Sequence, residues 1–308
     1  MNDYLQEPLI VAARKGNLAC VQELLPNVQE MRIVRRAFVY TPSIQVAAFL
    51  LSSGGIDVNA ADEHHRRFGP FLGDLTCPAL AYACKENMTQ KALWLLSKGA
   101  DPNLHYYEKK LVAGMADIDE INFITPLAFA VEKKNVELIR ALLAAGAKAD
   151  VLRLAGDVRS TGHSLTILGV ALQDGLSGGC EIIDILLETG ANVNDTNAKG
   201  QTALILAMET GMLGLVKHFV EKGADVNKPQ VTKKDVAPQT PLSLAVKYGF
   251  KEIAEYLRRQ GAHELDFIAP APLHPSQRPR ILCVRIPNTK RLLKEPKRAC
   301  KGGKTKVK

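Results

Sequence analysis

The sequence predicts an all-α solenoid of stacked helix-turn-helix units with β-turn fingers between them, followed by a disordered basic C-terminal tail. Three observations predict it. Short apolar runs at helical spacing recur in one frame, each unit closes on a glycine, and the excess of positive charge lies beyond residue 263. Apolar residues make up 46% of the 308 positions and aromatics only 6%, so the core is built from Leu, Ala, Ile and Val. That composition suits thin helical layers better than one deep core.

The units open on a threonine or proline followed by apolar residues. They read PALAYACKENMTQKALWLLSKGADPN from Pro78, TPLAFAVEKKNVELIRALLAAGA from Thr125, TILGVALQDG from Thr166, TALILAMETGMLGLVKHFVEKGADVN from Thr202 and TPLSLAVKYGFKEIAEYLRRQGA from Thr240. Within one unit Leu204, Ala207 and Met208 form a first apolar stripe, and Leu215, Val216, Phe219 and Val220 a second. A break at Gly211, Gly249 or Asn135 separates the two, which predicts two helices of two to three turns joined by a tight turn. The second helix ends at Gly99, Gly146, Gly190, Gly223 or Gly261, each followed by alanine. Glycine there closes a helix in the left-handed conformation without a Cβ clash.

This pattern resembles the ankyrin-repeat family, whose unit is a β-turn and two helices opening T-P-L-H-x-A. The resemblance spans residues 6–263 and implies about seven repeats. The histidine of the motif is replaced by Ala128, Ile205 and Ser243, so its hydrogen bond to the threonine is not expected there. Residues 6–60 hold two degenerate repeats. The first lacks a closing glycine; the second ends Gly55-Ile56-Asp57-Val58-Asn59, and its inner helix is the weaker assignment because Arg35 and Arg36 stand at apolar positions. Residues 61–263 hold five repeats with finger-loop insertions, and residues 264–308 a Pro-rich linker and basic tail.

The spacing from opening threonine to closing glycine is 21 in three units and 24 between Thr166 and Gly190. From closing glycine to the next opening residue it varies: 23, 26, 20, 12 and 17 along the chain. Inserting within a helix pair would misalign the core, whereas lengthening a finger projects chain into water at small entropic cost. Two insertions carry binding-type residues: Arg66, Arg67 and Phe68 in 61–76, and Tyr106 and Tyr107 in 104–124. Aromatic and arginine side chains are typical interface anchors, but the same rings also suit cover for the loop's own core. Composition alone leaves both open. Inner-helix positions Glu132, Lys133, Glu209 and Tyr248 complete the expected protein-binding set.

No catalytic, metal or cofactor site is expected. Gly302-Gly303-Lys304-Thr305 resembles the end of a phosphate loop, but Arg298 occupies the position of its first glycine. His64 and His65 beside Asp62 and Glu63 are adjacent, and adjacent side chains rarely converge on one ion. Cys77 and Cys84 are read as small apolar groups and Trp94 as packing. The six cysteines form no CxxC pair, which points to free thiols in a reducing compartment.

Residues 264–308 carry 12 Lys/Arg against 3 Asp/Glu, leaving 28 against 29 in the remainder, so the net charge of +8 belongs to the tail. Lys290, Arg291, Lys294, Lys297, Arg298, Lys301 and Lys304 suit an import receptor, nucleic acid or simple solubilisation. No signal peptide or membrane span is expected, and localisation is expected to be cytoplasmic or nuclear, with secretion into a host cell left open. The reading that follows is a monomeric scaffold or adaptor that binds a protein through its concave face and finger loops. The alternatives are a nuclear or nucleic-acid-associated regulator acting through the tail, and a pathogen effector delivered into host cells.

Overall fold

The computed structural model describes residues 7–53, 55–64, 75–111, 119–149, 154–156, 166–172, 179–197, 199–230 and 238–263. The chain divides into two units, Met1–Asp266 and Phe267–Lys308, and every described residue belongs to the first.

Fourteen α-helices are described, in seven consecutive pairs. The inner members are α1 Pro8–Arg14, α3 Met31–Tyr40, α5 Ala79–Lys85, α7 Pro126–Glu132, α9 Ile167–Ala171, α11 Ala203–Glu209 and α13 Pro241–Lys247. The outer members are α2 Leu18–Leu24, α4 Ile44–Ser53, α6 Thr89–Ser97, α8 Val136–Ala144, α10 Gly179–Glu188, α12 Leu213–Glu221 and α14 Lys251–Arg259. Each inner helix packs on the inner helix of the next pair, and α2, α4, α6 and α8 form a second row. One apolar core runs from Leu9 to Ala262. The inner helices are buried on most sides, with Pro126 to Val131 of α7 all buried, which explains their small residues.

Local chemistry sets the helix ends. Thr125, Thr166, Thr202 and Thr240 each cap an inner helix, their hydroxyls accepting from the N–H of Ala128, Gly169, Ile205 and Ser243 at 3.1 to 3.3 Å. The threonine therefore keeps its structural role without the motif's histidine. Such a cap contributes about 1 kcal/mol. At the turn between helices Gly211 has φ +71°, and a Cβ there would lie 3.2 Å from the Phe250 ring. Asn87 (φ 53°) and Lys134 (φ 54°) adopt the same left-handed conformation without being glycine.

The turns after the outer helices form a ladder. Asp57, Asp101, Asn192 and Asp225 each accept from the N–H two residues on, at 2.6 to 3.0 Å. The following asparagines reach across to the next turn: Asn103 accepts from the N–H of Lys148 at 3.0 Å and donates to the Gly146 carbonyl at 3.1 Å. Asn194 repeats this with Asp225 and Gly223, and Asn227 with His263 and Gly261. Asn59 accepts from Asp101 N–H at 2.8 Å.

The finger insertions contain strands that their loop composition does not reveal. Strand β1 Ala61–His64 pairs antiparallel with β2 Leu75–Pro78, and β3 Tyr106–Leu111 with β4 Asp119–Ile124, which also pairs with β5 Leu154–Gly156. In the shorter connections the same hairpin reduces to single bridges, Thr196 to Thr202 and Gln230 to Gln239. A chain leaving one turn and returning to the next cap runs antiparallel to itself, so added length extends the ladder. The inner helix of the second pair, α3, is fully formed despite Arg35 and Arg36.

Candidate interaction surface

The C-terminal ends of the inner helices place the expected binding residues on the fourth, sixth and seventh helix pairs. Glu132 ends α7 and is half-buried, while Lys133 follows it exposed. Glu209 ends α11, and its Oε1 accepts from Nε2 of Gln201 at 2.7 Å. Tyr248 follows α13 with 47% of its surface exposed, its ring edge-on to Phe250 at 6.1 Å. Met212 and Val246 are comparably exposed, so three large apolar side chains face solvent in the last two helix pairs. A groove of about 200 Å³ between α12 and α14, lined by Leu213, Lys217, Tyr256 and three charged neighbours, falls below the roughly 300 Å³ at which pockets enclose small molecules.

Tyr106 sits differently. Its hydroxyl accepts from Lys85 Nζ at 2.7 Å, the ammonium lies 4.3 Å from the ring centre, and the ring meets Phe129 edge-on at 5.5 Å. It joins finger to helix and is half-buried. Tyr107 lies in β3, with its side chain outside the described residues. Arg66, Arg67 and Phe68 also lie outside them, as do Lys290, Arg291, Lys294, Lys297, Arg298, Lys301 and Lys304.

The profile of the family described as ankyrin repeats (3 copies) matches residues 168–267. This chain carries ankyrin repeats. It is 28% identical to mouse (Mus musculus) Rabankyrin-5 over 54% of this chain and 14% of that protein. It is 44% identical to the ankyrin repeat and SAM domain-containing protein 6 of Rattus norvegicus, over 26% of this chain and 8% of that one. An ankyrin repeat protein of fowlpox virus is 29% identical over 48% of this chain and 84% of its own length. The chain thus spans a small part of the first two relatives. Among the described residues of this ankyrin-repeat protein, no helix is long and apolar enough to cross a membrane.

Two buried polar clusters in the N-terminal helix pairs escape the repeat pattern. Lys91 on α6 is 1% exposed, yet its ammonium donates to the carbonyls of Phe38, Val39 and Thr41 at 2.9, 2.7 and 2.7 Å. These are the terminal carbonyls of α3, and the next residue, Pro42, has no N–H to offer them. Where other pairs turn on a left-handed residue, Gly16, Asn87, Lys134, Gly211 or Gly249, this one turns on Thr41-Pro42-Ser43 and takes its closing donor from the next helix pair. Burial pushes the Lys91 pKa down to about 7 while the three carbonyls hold the charged form in place.

Arg36, at the position that weakened the assignment of α3, is 7% exposed and pairs with Asp62 of β1 through Nε and Oδ1 at 2.6 Å. Tyr40 donates to the other carboxylate oxygen at 2.8 Å, and burial pushes its hydroxyl above the usual range, reinforced by nearby Cys77 and Asp62. Asp62 is therefore engaged with α3. Cys77 and Cys84 are buried, and burial raises both thiols. Trp94 packs half-buried against the core, in keeping with its reading as packing. A proline in place of the turn glycine and a lysine on an apolar helix face are the signals from which the Lys91 contact was open to inference.

Proposed function

We propose that this ankyrin-repeat protein is an interaction scaffold that binds a protein partner along the ends of its inner helices and the adjoining finger edge. The observation that carries the reading is Tyr248, half exposed beside Phe250, in the same two helix pairs as exposed Met212 and Val246, whereas most other aromatic rings among the described residues pack against the core. Exposed aromatic anchors beside charged residues are what a protein interface draws on. Glu132, Lys133 and Glu209 supply the charged rim.

The test is a quantitative pull-down at physiological salt with the full chain, Tyr248→Ala, Glu209→Lys and a chain cut after His263. Loss of partner in the two point variants, with melting temperature unchanged, supports the reading. Retention in both removes the inner-helix ends from the site. Loss only on truncation moves function to the basic segment.

A further inference from the structure

The ends of the inner helices in the first four pairs carry an excess of positive charge. Arg14 ends α1 and Lys15 follows it, Lys85 ends α5, and Lys133 and Lys134 follow α7, against Glu86 and Glu132. A cation at a helix C-terminus answers the helix dipole, but α11 ends on Glu209, so the fold does not require one there. Arg14, Lys15 and Lys133 are exposed, and among the described residues none of the three has an ion-pair partner.

Aromatic rings lie along the same row. Tyr40 ends α3, and its ring meets that of Tyr82 on α5 edge-on at 4.8 Å. Tyr82 stands one turn before Lys85, hence on the same helix face, and the charges of Glu86 and Arg14 both reach it. Its half-buried hydroxyl has no hydrogen-bond partner among the described residues. Burial, reinforced by Glu86, raises the pKa of that hydroxyl, so it keeps a proton to donate. Packed helix axes stand roughly 8–10 Å apart, so the row from α1 to α7 covers roughly 24–30 Å, the reach of about seven to nine extended residues.

We propose that this row binds an extended acidic peptide segment of a protein partner, with carboxylates meeting Arg14, Lys15 and Lys133 and accepting from the Tyr82 hydroxyl. Such a partner rests on the interaction reading above and continues its line of inner-helix ends toward the N-terminus. Carboxylates fit the row better than nucleic acid does. The edge-on Tyr40–Tyr82 pair and the Lys85 ammonium over the Tyr106 ring engage these rings with protein neighbours instead of presenting their faces to bases. Three exposed cations also fall short of the roughly six to ten phosphate contacts on which tight nucleic-acid binding draws.

Fluorescence anisotropy tests it on the full chain carrying Lys290→Gln, Arg291→Gln, Lys294→Gln, Lys297→Gln and Arg298→Gln, which lowers the charge of the tail. The probe is a fluorescein-labelled nonapeptide with four glutamates on each side of one phenylalanine. It should bind this chain, and its all-glutamine counterpart should bind at least about tenfold more weakly. Arg14→Glu with Lys15→Glu should weaken binding of the acidic probe about tenfold, and Lys133→Glu or Tyr82→Phe about threefold, with melting temperatures unchanged. Unchanged affinity in the Arg14 and Lys15 variant would overturn the proposal. So would loss of binding on neutralising the tail alone, or tighter binding of a nine-nucleotide oligothymidylate at the same residues. If the peptide fails while the pull-down with Tyr248→Ala succeeds, the acidic class alone is removed; if the pull-down fails, the surface it rests on goes too.

Discussion

The ammonium of Lys91 lies 2.7 Å from the carbonyl oxygen of Thr41, so the end of one repeat's inner helix is closed by a side chain from the next repeat's outer helix. Removing it leaves three buried carbonyls without this donor. Lys91→Met, which keeps the apolar stem, should therefore destabilise the array by roughly 2–4 kcal/mol. The check is the urea midpoint, and a shift below about 0.5 kcal/mol would show the carbonyls finding other donors.

The same lysine makes stability depend on pH. Its folded pKa of about 7 lies below the ordinary 10.5, so between those values the unfolded chain binds more protons than the folded one. Stability must then rise with pH across that window, by about 1.4 kcal/mol per unit at most. The penalty for burying the charge is fully present below pH 7 and is relieved above it. Tyr40, Cys77 and Cys84, all raised, act oppositely at higher pH, where the unfolded chain loses their protons first. Urea midpoints at pH 6.0, 7.5 and 8.5 should climb in the wild type, and the climb should vanish in Lys91→Met.

For the Arg36–Asp62 pair, removal of one partner should cost more than removal of both. Arg36→Met removes this buried pair's guanidinium from beside the Asp62 carboxylate and should destabilise by about 3 kcal/mol. Adding Asp62→Asn should recover part of that loss. Equal losses in the single and double variants, measured by urea unfolding, would mean that the carboxylate is not the source of the cost.

Lys134 holds a left-handed backbone where the corresponding turns use Gly16, Gly211 and Gly249. Lys134→Gly relieves a clash of about 1 kcal/mol and adds some unfolded-chain entropy, so a net gain of roughly 0.5 kcal/mol is expected. A lower melting temperature would show that contacts of the lysine side chain outweigh the backbone term.

The helix pairs, their caps and their closing glycines were legible because they depend on neighbours in sequence. Thr125 bonds Ala128 three residues on, and a 3.6-residue apolar period declares a helix whatever lies beyond it. The strands of the fingers were not legible, because their register comes from where the flanking helix pairs place the chain ends. Tyr106 by type suits both an interface anchor and cover for its own loop, and only its position beside Lys85 and Phe129 shows it packing finger onto helix. Arg36 weakened the case for α3 because the sequence cannot display Asp62, 26 residues away, supplying its charge partner. The sequence by itself determined the repeating unit, since propensity, capping and amphipathic period act within a few residues. Tertiary structure alone decided which polar side chains are buried with partners and which face solvent, because burying a charge is tolerable only where a distant segment brings the opposite charge or the missing hydrogen bond.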